Sequence, residues 1–291
     1  MIPASFDYVA PQSLEEAVRA LADHGEEAKL LAGGHSLLPL MKLRLANPKL
    51  LIDLSRIPGL RGIRHEDDKI IVGALTTHYQ IESSELVKEK CPLLSQTAGA
   101  IGDVQVRNRG TIGGSLTHAD PSADWPAAIL ALGGELKLSG PKGERRLAPE
   151  NFFLAPMTTA IEPTEILTEI RVPVLSQRCG SAYLKMAQQA SGFALVAIAV
   201  WLRLGRSRLV EEIGIGVTGL GEKPFRAQAV EQFVRGNKLT PKLIEASASQ
   251  VAEGIEPLED LHAAAKFRAH LARVYTSRAI QEAAKKIKIE S

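Results

Sequence analysis

The chain has 291 residues, 45% hydrophobic and 23% charged, the make-up of a globular protein with room for a large core. Lys+Arg is 35 and Asp+Glu is 33, so the formal charge of +2 offers no electrostatic footprint for nucleic acid or an anionic membrane. The longest apolar run, residues 193–202, is far short of the ~20 residues that span a bilayer, and Met1 to Tyr8 lack the basic and apolar regions of a secretory leader.

In chain order, Ser13-Leu14-Glu15-Glu16 has the form of a capping box. Leu14, Ala17, Val18, Leu21 and Ala22 then fall on one helical face. A short strand, residues 29–32, enters the turn Gly33-Gly34-His35-Ser36. A helix over 37–46 and a strand over 50–54 complete a small α/β unit. A hairpin follows, with 62–63 and 69–72 flanking His65-Glu66-Asp67-Asp68. That tip has a metal-site composition, but adjacent residues on a hairpin rarely converge on one ion, so no metal is expected.

Further along, the pattern predicts a helix over 93–101, a glycine-dense loop at 110–115, a helix over 125–132 and, past Gly133-Gly134, a strand over 135–139. Residues 177–192 are small and polar; strands over 193–204 and 210–220 follow. Thr240-Pro241 pairs an N-cap with a first-turn proline. Phe267, Leu271 and Val274 mark a last helix, whose end, Lys285-Lys286-Ile287-Lys288, is expected to be solvated. Boundaries near 57 and 175 divide the chain into units 1–57, 58–175 and 176–291.

Two glycine pairs could carry chemistry: Ala32-Gly33-Gly34-His35-Ser36 and Gly110-Thr111-Ile112-Gly113-Gly114-Ser115. Consecutive glycines let backbone amides converge into an anion-binding nest and let a diphosphate approach closely, and Ser36, Thr111 and Ser115 add hydroxyls. One such loop is most simply a plain turn; two of similar make favour a diphosphate cofactor. Gly214-Ile215-Gly216-Val217-Thr218-Gly219 matches the dinucleotide fingerprint by letter. However, Ile213, Ile215 and Val217 alternate as in a strand and a turn follows, so no cofactor role is expected there. Hydrolase motifs are absent. His118-Ala119-Asp120 is read as a polar loop over a bound cofactor. Two cysteines, Cys91 and Cys179, cannot supply a four-thiolate cluster and are read as free thiols of a reducing cytoplasm.

The two glycine motifs at this separation resemble the FAD-binding (medium) subunit of the molybdenum hydroxylases of carbon monoxide dehydrogenase and xanthine dehydrogenase type. The likeness takes in Gln105-Val106-Arg107-Asn108, Asp120-Pro121 with Asp124, Thr158-Thr159-Ala160, Glu165-Ile166-Leu167 and Tyr183-Leu184-Lys185-Met186. It reaches Arg268-Ala269-His270-Leu271 and Arg278-Ala279-Ile280, and so covers essentially the whole chain. The resemblance implies an α+β protein: a vanillyl-alcohol-oxidase-like fold of two FAD-binding subdomains, then a C-terminal α/β domain of the carbon monoxide dehydrogenase flavoprotein type.

By the same resemblance, Leu30, Leu31, Ala32, Gly33, Gly34, His35, Ser36 and Leu37 form one diphosphate loop, and Thr111, Ile112, Gly113, Gly114 and Ser115 the other. Ile101 lies against FAD, Asp124 bonds a ribose or ribityl hydroxyl, Leu167 packs on a ring, and Lys185 brings an ammonium to the flavin. Phe193 stands where some relatives have tyrosine beside the isoalloxazine, which keeps stacking and removes a hydroxyl. The implied partners are a small two-cluster iron–sulfur subunit of the 2Fe–2S type and a large molybdopterin subunit, assembled as a dimer of heterotrimers. Residues 33–36 and 111–120 then lie close to the iron–sulfur partner. Gly34→Val and Gly113→Val are each expected to remove FAD from a folded protein. His35 invites comparison with oxidases that tether flavin through histidine; the rest of the likeness favours non-covalent FAD. The alternatives are a stand-alone flavin oxidase or reductase, for which no general acid or base is evident, and a non-catalytic scaffold, against which the two glycine loops argue.

Overall fold

Three main sheets follow one another along the chain in the computed structural model, which describes residues 2–176 and 178–287. Met1, Gln177 and Lys288, all part of the readings above, lie outside the described residues. The first sheet has three parallel strands in the order Asp7–Val9, Leu50–Asp53, Ala28–Leu31. Parallel neighbours need crossovers, supplied by the helices Leu14–His24 and Leu37–Lys42. Ser13 accepts the Glu16 N–H at 3.1 Å as expected, but the Glu16 carboxylate takes the N–H of Gln12 at 2.9 Å instead of that of Ser13. The second helix ends at Lys42, short of residue 46. The N–H groups of Leu45 and Ala46 both turn back to the Leu40 carbonyl, at 2.9 and 3.3 Å, and Arg44 adopts φ 60°. Pro48 disfavours helical backbone at Asn47, whose side chain instead bonds the Arg44 carbonyl at 3.0 Å.

The second sheet is antiparallel, ordered Ile63–Glu66, Lys69–Gly73, Ile166–Pro173, Glu135–Gly140, Gly143–Leu147. At its hairpin tip Glu66 pairs with Arg64 at 2.6 Å and Arg171 at 3.3 Å. Among the described residues no group of three or more His, Cys, Asp or Glu could hold a metal. A run of helices is inserted between Gly73 and Glu135, including His78–Ser83, Val104–Arg109, Ile112–His118 and Trp125–Leu132. Residues 110–115 are therefore only partly a loop. Thr111 caps a helix, its Oγ1 accepting the Gly114 N–H at 3.1 Å, and the glycines sit in the first turn.

The third sheet is antiparallel: Cys179–Ala187, Ala194–Leu204, Val210–Thr218, Phe225–Arg226. Its first strand lies within the segment that read as small and polar. The reason is packing, because a Cβ on Gly180 would overlap the Ala283 carbonyl of the last helix, Ala265–Lys285. The same holds at the false fingerprint. Gly214 and Gly216 are strand residues pressed on the Ala131 and Ala127 carbonyls of the helix Trp125–Leu132, which is buried at every residue. Alternate residues feed two cores: Ala197 and Ala199 face that helix, while Ile198, Val200 and Leu202 face the last helix. The last helix buries Arg268, Leu271, Ala272, Ala279, Ile280 and Ala283, whereas Phe267 is 44% exposed, so the buried stripe is rotated from the expected one. Arg268 can be buried because it donates to the carbonyls of Gly219 (2.8 Å) and Leu195 and pairs with Asp260.

Candidate cofactor site

A cavity of about 540 Å³ opens where the first sheet, the inserted helices and the strand Ile166–Pro173 of the second sheet meet, with Phe193, just ahead of the third sheet's second strand, on its wall. Its walls take Leu30, Ala32, Gly33, Gly34, His35, Ser36 and Leu37 from the first unit and Ile101, Thr111, Gly113, Gly114, Ser115 and Asp124 from the helical insert. Leu167 and Phe193 complete the expected set, Phe193 being 45% exposed. Three expected residues do not line it. Leu31 lies behind the first segment, Ile112 is fully buried in the core, and Lys185 stands one residue back from the wall.

The two glycine segments differ in what their amides do. Among the described residues no protein acceptor takes the N–H groups of Gly33, Gly34, His35, Ser36 and Leu37. Gly34 has φ 77°, the left-handed turn that glycine makes at little cost. In the second segment each amide after Thr111 is taken: Ile112 by the Thr76 carbonyl at 3.1 Å, Gly113 by Ala74 at 2.9 Å, Gly114 and Ser115 by Thr111. Its glycines serve close packing. A Cβ on Gly113 would lie 2.5 Å from the Ala74 Cβ and 2.7 Å from its carbonyl oxygen. A Cβ on Gly33 would strike the Arg109 carbonyl and lie 3.0 Å from the Gly110 Cα, so the two segments cross backbone to backbone. Two nests were expected; the run of consecutive free amides belongs to one, and the other offers the hydroxyls of Thr111 and Ser115.

Asp124 is 5% exposed and presents its carboxylate at the wall. Its Oδ1 accepts from the Tyr183 hydroxyl and pairs with the Lys185 ammonium at 2.9 Å. Lys185 spends its remaining donors on the carbonyls of Ala100 (2.6 Å) and Gly192 (2.8 Å), the neighbours of Ile101 and Phe193. One buried ammonium thus ties together three wall residues that are distant in sequence. Burial pushes the Asp124 carboxyl up, with Lys185 and Tyr183 pulling it down, and burial beside that carboxylate holds the Tyr183 phenol well above its usual range.

His78 was missed from the sequence, as were the wall residues Lys29, Ala74 and Met157. No local motif marks them; for His78 the one available clue is the capping box of Thr77 and Gln80, which puts it at a helix start. Burial, then the nearby charges of His35 and Arg107, push its pKa down to about 4 from the ordinary 6.5. The folded protein keeps His78 neutral where the unfolded chain protonates it. Its contribution is therefore complete above about pH 6.5 and is lost as pH falls toward 4, by up to ~3 kcal/mol. In urea unfolding, the wild-type chain is expected to lose more stability between pH 7 and 5 than His78→Phe; equal losses would refute the assignment. His118 and Asp120 also line the cavity, on either side of Ala119, which adopts φ 51°.

A cradle of this kind, with free amides and an aromatic ring on its wall, suits a flavin dinucleotide. Residues 4–175 match the family model described as "FAD binding domain in molybdopterin dehydrogenase", and residues 181–283 match "CO dehydrogenase flavoprotein C-terminal domain". The chain is 41% identical over 283 residues to the carbon monoxide dehydrogenase medium chain of Hydrogenophaga pseudoflava, covering 97% of this chain and 98% of that one. It is 36% identical to the 6-hydroxypseudooxynicotine dehydrogenase complex subunit alpha of Paenarthrobacter nicotinovorans, covering 97% and 96%. A solved structure of the Hydrogenophaga pseudoflava carbon monoxide dehydrogenase superposes with a TM-score of 0.96 at 41% identity, covering 99% of this chain and 100% of that one. The chain belongs to the family of FAD-binding medium subunits of the molybdenum hydroxylases. It is thus an oxidoreductase component with FAD as its cofactor, and no helix among the described residues is long and apolar enough to cross a membrane.

Proposed function

We propose that the chain relays electrons from an iron–sulfur partner to an external acceptor, through FAD lying in the cavity described above. The observation that carries the placement is the row of free amides at 33–37 beside a buried carboxylate and an exposed aromatic wall residue. On this reading those amides and the hydroxyls of Ser36, Thr111 and Ser115 hold the diphosphate, and Oδ2 of Asp124, free of the bonds made to Oδ1, accepts from a ribityl or ribose hydroxyl. Ile101, Leu167 and Phe193 supply apolar contact and exclude water. Lys185 acts from behind the wall, holding Asp124, Ile101 and Phe193 in register. FAD, when bound, exchanges electrons in pairs or singly and so joins one-electron clusters to a two-electron acceptor.

Two cysteines cannot ligate such clusters, so the clusters and the molybdenum site belong to partners. We assign a small two-cluster iron–sulfur subunit and a large molybdopterin subunit, in a dimer of heterotrimers in the cytoplasm. Leu38, Leu43 and Leu45, exposed beside the first glycine segment, support a docking surface near residues 33–36. Affinity purification of the tagged chain from its host is expected to bring down two further polypeptides with iron and molybdenum. Recovery of a lone, metal-free chain would contradict the relay.

The FAD is expected to be non-covalent. His35 Nδ1 lies 3.3 Å from the Gly33 carbonyl, which engages the ring within its own loop. Acid precipitation should release the yellow chromophore, and flavin fluorescence left in the pellet protein would overturn this.

A further inference from the structure

His78 lines the cavity although only 4% of it is exposed. The indole N–H of the fully buried Trp125 donates to its Nδ1 at 3.0 Å. Indole nitrogen is donor only, so Nδ1 is the acceptor and the single proton of a neutral imidazole sits on Nε2. Among the described residues no protein acceptor takes that proton. The ring cannot swing away, because the His78 backbone N–H donates to the Gly110 carbonyl at 3.0 Å and Trp125 holds the far nitrogen. Its Nε2 edge is turned to Gly110, where a Cβ would lie 2.7 Å from Nε2 and 2.9 Å from Cδ2. Gly110 in turn backs the crossing with Gly33, the start of the free-amide segment.

We propose that His78 is a cofactor-binding residue whose Nε2–H, held in one tautomer by Trp125, donates to an oxygen of the FAD diphosphate beside Gly33. The electrostatics of the wall favour such a donor. Lys29 is the single Lys or Arg side chain among the described residues lining the cavity, so a diphosphate there depends on neutral N–H and O–H groups. Before any anion binds, burial keeps the ring neutral across the physiological range.

The proposal rests on the cavity being the FAD site, and the test separates the two. The full chain, freed of flavin, is titrated with FAD, with ADP as a diphosphate probe, and with riboflavin as a probe without phosphate. His78→Phe is expected to weaken FAD and ADP by roughly 10- to 100-fold, the range of a hydrogen bond to a charged acceptor, and to leave riboflavin unchanged. His78→Gln, which restores an N–H donor, is expected to recover part of the loss. FAD and ADP affinities within twofold of wild type in a folded His78→Phe protein would overturn the proposal. Equal weakening of riboflavin would overturn the diphosphate assignment. If His78→Phe does not fold, nitrogen-15 NMR of the wild-type chain decides: the His78 Nε2–H resonance should shift on adding ADP, and an unmoved resonance overturns the proposal. A wild-type chain that binds neither FAD nor ADP would overturn the cavity as the site, and His78 with it.

Discussion

Gly34→Val is expected to yield a folded protein that has lost its flavin, whereas Gly113→Val is expected not to fold. At Gly34 the obstacle is conformational. Its φ of 77° is one that β-branched residues rarely adopt, but the nearest atoms a Cβ would meet belong to the Leu38 side chain, at 2.8 and 3.1 Å. That side chain can swing, so the strain falls on the loop and misdirects the free amides at 33–37. Losing two N–H bonds to a charged acceptor, at ~1.5–3 kcal/mol each, weakens binding roughly a hundredfold or more. At Gly113 the obstacle is backbone: the Ala74 carbonyl oxygen at 2.7 Å and Cα at 2.9 Å from the position of a Cβ. Neither can move without breaking the Gly113 N–H bond to that carbonyl, so the penalty exceeds the ~1–3 kcal/mol usual for overpacking. From the sequence alone both variants were expected to fold; the structure separates them. Flavin absorbance per chain and circular dichroism check the pair, and a flavin-loaded Gly34→Val or a native Gly113→Val would refute the division of labour.

Lys185→Met is expected to destabilise the protein by ~3–5 kcal/mol, because it strands a buried carboxylate. Asp124 would lose the partner at 2.9 Å, and the carbonyls of Ala100 and Gly192 would lose their donor. Flavin affinity should fall as well, since Ile101 and Phe193 are fixed through those carbonyls. Removing both charges, in Lys185→Met with Asp124→Leu, should regain much of the stability without regaining full flavin binding. Urea unfolding of the single and double variants measures this. A single-variant loss below ~1 kcal/mol would mean that the pair is a surface-like contact.

Much of this architecture was legible because local pattern and tertiary role coincided. The capping residues Ser13, Thr240 and Pro241 start helices as read. The alternation of Ile213, Ile215 and Val217 rightly outweighed the false fingerprint around Gly214. What could not be read was decided by contacts distant in sequence. Gly113 looks like a nest residue, yet its amide is taken and it answers to the backbone crossing it, and Gly33, whose amide is free, is a glycine for the same kind of crossing. Gly180 weakens a strand pattern for the sake of the last helix. Lys185 carries the right charge, but its three partners come from residues 100, 124 and 192 and hold it off the wall. His78 becomes visible as a site residue once Trp125, 47 positions away, is seen to fix its tautomer.

The relay reading is tested most directly by anaerobic mixing of the purified, FAD-loaded chain, free of partners, with carbon monoxide, aldehydes and purines, following flavin absorbance. The flavin is expected to stay oxidised with each of them and to bleach with a chemical reductant such as dithionite. Bleaching by any of those substrates in the absence of a partner, at ordinary enzymatic rates of roughly 1–1000 per second, would contradict the relay and make this chain the oxidising enzyme itself.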